Sequence, residues 1–369
     1  MALQCGIVGL PNVGKSTIFN ALTAAGAQMA NYPFCTIEPN VGVVTVADSR
    51  LEALDKIANP QKVLPTVMEF VDIAGLVSGA SKGEGLGNQF LGHIRQVDAV
   101  THVVRCFEDD DITHVEDRVD PVADIQIIET ELMLADLAGV QKRHDTVIKK
   151  ARTGDKEAKV LVLIYDKVIT GLNNGVPIRL QGLTPEELEG MQDLFMITAK
   201  PVLYICNVSE DDLAIAQKPG AHQLTDSVRE LAAEEGAEVV AICGSIEAEI
   251  AELDAEEKAL FLDDLDLEEP GLDRLVHQAY RLLGLMTYFT VGPKEVRAWT
   301  VKEGATAPEA AGVIHTDFQK GFIRAEVISY ADFIDCKGEQ GAKEKGKMRL
   351  EGKTYQVNDG DVMHFLFNV

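Results

Sequence analysis

Near its start the chain reads Gly9-Leu10-Pro11-Asn12-Val13-Gly14-Lys15-Ser16, a complete G-x-x-x-x-G-K-S, and few short motifs restrict a fold as tightly. Gln4-Cys5-Gly6-Ile7-Val8 precedes it and reads as a short buried strand. After it, Ile18, Phe19, Ala21 and Leu22 recur at the 3.6-residue period of a helix. A strand, a glycine-bearing turn and a helix aim backbone N–H groups and the positive end of the helix dipole at one point, where phosphate binds. The spacing therefore predicts phosphate contacts from Asn12, Val13, Gly14, Lys15, Ser16 and Thr17. Lys15 is expected to reach the β- and γ-phosphates, and the Ser16 hydroxyl to take Mg2+.

The rest of the first half supports a parallel sheet covered by helices. Residues 67–72, 99–105, 202–206 and 238–242 are further apolar runs, continuous rather than alternating, as in strands buried on both faces. Between residues 124 and 199 the pattern changes. Ile128, Leu132, Ala135 and Val140, then Val160, Leu161, Ile164 and Val168, recur at helical spacing on either side of Thr153-Gly154-Asp155. This predicts an antiparallel helical hairpin inserted into the first domain. Near Gly284 the pattern shifts again. Residues 294–301 alternate like a half-exposed strand, and residues 354–357 and 362–367 read as later strands of a small α+β domain. The expected architecture is an α/β nucleotide-binding domain (residues 1–123 and 200–283), a helical insertion (124–199) and a C-terminal α+β domain (284–369).

The net charge of −25 argues against indiscriminate coating of nucleic acid, and no DNA specificity is expected. The charge is uneven. Residues 287–369 hold 11 Lys and Arg against 12 Asp and Glu, so nearly all of the excess lies before them. Residues 142–159 hold seven basic side chains, Lys142, Arg143, Lys149, Lys150, Arg152, Lys156 and Lys159, against three acidic ones. This hairpin tip is either an RNA contact or an ordinary solvated helix face. The six cysteines are widely spaced, with no C-x-x-C pair, and read as buried thiols of a reducing cytosol. The N-terminus carries no basic stretch ahead of its apolar run, and no apolar run reaches membrane-spanning length, so a cytoplasmic protein without membrane partners is expected.

Asp72-Ile73-Ala74-Gly75 closes a predicted strand. In that place Asp72 is suited to hold Mg2+ through water, and the Gly75 N–H to bond a γ-phosphate oxygen. Thr36, between this motif and the first, is a candidate to complete the Mg2+ shell. Residues 79–87 are rich in glycine and read as a mobile switch loop. Guanine-specific sites of this kind carry N-K-x-D, whose Asp accepts from guanine N1–H and the amino group. Here the strand is followed by Asn207-Val208-Ser209-Glu210, so Val208 replaces the Lys and Glu210 the Asp. Asn207 keeps a bond to the N7 edge that both purines share, and the chief reward for guanine is gone. Cys243-Gly244-Ser245 matches the last base loop loosely, with Ser245 as its candidate contact.

With GLPNVGKST, DIAG, GEGLGNQF and NVSE, a helical insertion and a terminal TGS-like segment, the chain resembles the YchF/Obg-like ATPases, a branch of the translation-factor-class P-loop GTPases. The resemblance covers essentially the whole chain. It implies a G domain, a β-grasp TGS-like C-terminal domain, cytoplasmic location and ribosome association, with RNA or ribosome contact through the terminal domain. It also implies hydrolysis of ATP, and of GTP more weakly, with Mg2+. Gly75 is followed by Leu76 and Val77, which cannot orient water, in keeping with GTPases that carry a hydrophobic residue in place of the catalytic Gln. Two groups are candidates for the missing function. Asn12 sits where related enzymes bind a potassium ion, or merely tolerates the turn. His114 is either a water-orienting group or an incidental loop histidine. Two other functions stay open: a GTPase with compensated base recognition, and a nucleotide-dependent RNA-binding module with little turnover.

Overall fold

The computed structural model describes residues 3–27, 40–73, 86–109 and 118–368. Thr36, Gly75, Leu76, Val77 and His114, and residues 79–85 of the glycine-rich stretch, lie outside the described residues. The chain divides into two compact units, Met1–Val44 with Glu69–Ala279, and Thr45–Met68 with Tyr280–Val369.

The first unit is built on a six-stranded sheet. Its strands are β1 (Gln4–Val8), β2 (Val41–Thr45), β4 (Val67–Asp72), β5 (Ala99–Arg105), β6 (Val202–Asn207) and β7 (Glu238–Ile242), in the order β2-β4-β1-β5-β6-β7. β1 pairs in parallel with β4 and β5, and β6 in parallel with β5 and β7. Every residue of β5 is buried, including Thr101, His102 and Arg105. Such burial on both faces is why these strands read as continuous apolar runs. Helix α1 (Lys15–Ala27) follows β1, and α3 (Leu86–Gln96) precedes β5. Cys5, Cys106, Cys206, Cys243 and Cys336 are free and buried, and burial pushes the Cys5 thiol upward.

The inserted hairpin forms where the spacing predicts it. α4 (Pro121–Arg152) is capped by the Asp120 side chain, with Pro121 at its first turn, and α5 (Lys156–Asn173) is capped by Asp155. Gly154 makes the connection at φ +99. Val140, Val147, Ala158, Tyr165 and Val168 form the seam of the hairpin. Its base is tied to the unit by buried polar contacts. Arg179 pairs with Glu129 of α4 and with Glu235, which also accepts from the Tyr204 hydroxyl at 2.9 Å. Asp136 of α4 accepts from the backbone N–H groups of Ile197 (3.0 Å) and Thr198 (2.7 Å), while burial pushes its carboxyl upward.

The second unit has its own six-stranded mixed sheet. It comprises β3 (Lys62–Leu64), β8 (Leu285–Val291), β9 (Glu295–Lys302), β10 (Phe322–Ile328), β11 (Arg349–Glu351) and β12 (Val362–Phe367), ordered β11-β10-β12-β8-β9-β3. The structure departs here from the domain boundaries read in the sequence. Residues 45–68, assigned there to the nucleotide-binding domain, fold with the C-terminal segment. β3 pairs in parallel with β9, Lys62 opposite Glu295 and Leu64 opposite Arg297. Leu51 and Leu54 of α2 (Ser49–Ala58) pack with Phe289, Val296 and Phe333. Arg50 fastens the same helix to Asp359. One predicted strand is also corrected. Residues 354–357 form no strand; Gln356 makes only an isolated bridge to Thr306, because Asp361 and Asn358 close a turn there.

Candidate nucleotide-binding site

β1 ends in the middle of the sheet, and the chain leaves it through the motif loop into α1. Gly9 is required there, since a Cβ would lie 2.8 Å from the Val103 carbonyl oxygen. Asn12 takes φ +65 and Gly14 φ +91, the left-handed values that turn the chain back to start the helix. The first turn of α1 holds no acidic residue, so nothing on it opposes an anion at its N-terminus. The Ile18 N–H closes that turn on the Gly14 carbonyl at 3.1 Å.

Lys15 is 9% exposed, and its ammonium forms an ion pair with the Asp72 carboxylate. The pair is possible because β1 and β4 are neighbours, with Ile7 opposite Asp72. Asp72 is thus aimed at the motif loop. Its carboxylate, with the exposed hydroxyl of Ser16, is a hard-oxygen donor set of the kind Mg2+ takes together with phosphate oxygens. The residues present fit that ion. Thr36, Gly75 and His114 lie outside the described residues.

A cavity of about 590 Å³ opens beside the loop. It is walled by Asn12, Gly14 and Thr17, by Phe107–Asp109 after β5, by Asn207–Ser209 after β6, and by Cys243–Ser245 after β7. The carboxyl ends of parallel strands are where such folds bind ligands. Asn207 holds the wall together. Its Nδ2 donates to the Val13 carbonyl at 2.9 Å and its Oδ1 accepts from the Gly244 N–H at 3.0 Å. Gly14 is glycine for a second reason here: a Cβ on it would come within 2.1 Å of Asn207 Nδ2. Ser209 caps the next turn by accepting from the Asp212 N–H at 3.2 Å.

Several sequence-derived candidates therefore meet around one cavity: Asn12, Gly14, Thr17, Asn207, Val208 and Ser245. Val13 is buried just beneath it, with its carbonyl held by Asn207. Glu210 does not join them. It is exposed and absent from the lining, and Ser209 faces the cavity instead. Val208 is 2% exposed and packs with Val104, Tyr204 and Leu213, while its N–H is committed to the Ile242 carbonyl at 2.9 Å. Sequence reasoning missed Phe107, Glu108 and Asp109. Their place just beyond a buried parallel strand was the signal that could have found them.

With this geometry in hand, the likeness to known proteins is extensive. Residues 4–130 match a family model described as 50S ribosome-binding GTPase. Residues 285–368 match YchF-GTPase_C, described as a protein of unknown function. Over 369 residues and 100% of both chains, the sequence is 60% identical to a Haemophilus influenzae protein named ribosome-binding ATPase YchF. The chain belongs to the YchF family. A Bacillus subtilis YchF, also named a ribosome-binding ATPase, is 56% identical over the full length of both chains. The solved structure of the Schizosaccharomyces pombe YchF GTPase is 38% identical and matches with a TM-score of 0.88, covering 99% of this chain and 97% of that one. The chain is accordingly a P-loop protein with a G domain, a helical insertion and a TGS-like C-terminal region. The names of its YchF relatives divide between ATPase and GTPase, which puts the weight on the cavity wall.

Proposed function

We propose that the chain is an Mg2+-dependent ATPase, weaker on GTP, that works as a nucleotide-dependent switch on ribosomes in the cytoplasm. The observation that carries the ATP preference is the wall after β6. Val208 packs into the core, Glu210 stands outside the cavity, and no carboxylate at the N-K-x-D position rewards guanine. ATPase activity and ribosome binding are the properties named for the Haemophilus influenzae and Bacillus subtilis relatives.

In this reading Lys15 exchanges Asp72 for the β- and γ-phosphates when nucleotide enters, which frees the Asp72 carboxylate. Asp72, Ser16 and Thr36 are the residues that would hold Mg2+, which neutralises charge on the phosphates when bound. The Gly75 N–H bonds the γ-phosphate, and His114 orients water, since the side chains of Leu76 and Val77 can do neither acid–base work nor water orientation. Asn12 turns the loop at φ +65, and its side chain would help to hold a potassium ion, whose charge would offset that of the phosphates. Hydrolysis is then faster in potassium than in sodium at matched ionic strength; equal rates remove the cation from the mechanism. The seven basic residues of the hairpin tip are all exposed, and with the TGS-like domain they supply the ribosomal RNA contact.

The deciding experiment is calorimetric titration of the nucleotide-free protein with ATP and with GTP. ATP is expected to bind at least as tightly as GTP. A strong preference for GTP would refute the base assignment and leave the phosphate site standing.

A further inference from the structure

Arg105, the last residue of β5, is 1% exposed and is among the largest fully buried side chains of the protein. Burying a guanidinium is costly unless its donors are satisfied in good geometry. Its Nε donates to the Phe107 carbonyl at 3.0 Å and its Nη2 to the Asp109 carbonyl at 3.0 Å. The guanidinium also lies 4.6 Å from the centre of the Phe107 ring, within cation–π range. One planar side chain thus folds the segment Phe107–Asp109 around itself. Among the described residues, those three wall the cavity on the β5 side. The other flank of the segment is pinned as well, since the Cys106 N–H donates to the Asn207 carbonyl at 2.8 Å.

We propose that Arg105 is a positioning residue for nucleotide selection. It sets the shape of the Phe107–Asp109 wall and so how well the cavity accepts one base over another. The inference rests on the cavity being the nucleotide site. It goes further by placing part of the discrimination after β5, away from the loop that carries N-x-x-E. Because the β6 loop offers guanine no carboxylate, selectivity falls to the fit of the remaining walls. A Lys cannot substitute at 105: its ammonium is a point donor without the planar fork that reaches two carbonyls and covers a ring.

The test uses the full-length protein carrying Arg105→Lys or Arg105→Met, titrated with ATP and GTP and assayed for multiple-turnover phosphate release. In each variant the Kd for ATP is expected to rise about tenfold, the scale of one lost charge-assisted hydrogen bond. The ATP-to-GTP affinity ratio is expected to move toward one, and the loss of activity to fall on KM rather than kcat. An unchanged ratio overturns the proposal, whether both nucleotides weaken equally or neither does. So does a loss confined to kcat. Should neither variant fold, Phe107→Leu removes the ring that Arg105 holds at a half-buried position, and it must shift the ratio in the same direction. Wild-type protein that binds no nucleotide would overturn the site reading itself. Wild-type binding with unshifted variants would overturn the role of Arg105 alone.

Discussion

Lys15→Ala is expected to lower ATP affinity at least about a hundredfold and to abolish phosphate release. The charge-assisted contacts to the β- and γ-phosphates proposed for Lys15, worth about 3 kcal/mol or more together, would vanish with the ammonium. The nucleotide-free fold should survive. Lys15 contributes an ion pair to Asp72 at the rim of the site, while the surrounding core of Ile7, Ile18, Leu22 and Phe70 is untouched. The measurement is a calorimetric Kd alongside a thermal melt. Turnover unchanged in a variant that melts like the wild type would remove the phosphate site from Gly9–Ser16.

Asn207→Ala should cost both stability and binding. Asn207 is 5% exposed, and its amide satisfies the Val13 carbonyl and the Gly244 N–H from two different loops. Truncation leaves two buried backbone groups unpaired, at about 1–3 kcal/mol each. A loss of about 2–4 kcal/mol in urea unfolding is expected. The motif loop and the Gly244 loop would then be free to separate, so nucleotide affinity should fall about tenfold or more as the variant gives up part of its binding energy to reorder them. A variant with wild-type stability would show that the clamp between these loops adds nothing, and that the left-handed turn at Asn12 and Gly14 is sufficient to hold the loop.

Some of the site was legible because its physics is local. A glycine-bearing turn between an apolar strand and an amphipathic helix needs only contiguous residues, so Asn12 to Thr17 could be named without coordinates. Strand β5 was legible for a related reason, since burial on both faces writes an unbroken apolar run. The polar members of that run were harder to interpret. Arg105 reads as the charged end of a strand, and nothing in its neighbours announces that it folds back on the carbonyls of Phe107 and Asp109. Glu210 was hard to place for the opposite reason. A motif position implies a place in the cavity, but the turn capped by Ser209 and Asp212 leaves Glu210 in solvent.

By itself the sequence determined the P-loop, the parallel sheet behind it, the helical hairpin and the change of fold style near Gly284. Each of these is encoded by hydrophobic period and turn residues within a short window. Only the tertiary structure decided that residues 45–68 belong with the C-terminal unit. Lys62–Leu64 is too short to declare a partner, and its register with β9 depends on residues more than two hundred positions away. The same holds for the cavity wall. Lys15 meets Asp72, and Asn207 meets Val13 and Gly244, only because parallel pairing brings the ends of β1, β4, β6 and β7 to one edge of the sheet. Hydrogen bonds between distant strand ends leave no periodic trace in the chain, so a sequence names the residues of such a site while the packing of the sheet chooses which of them touch.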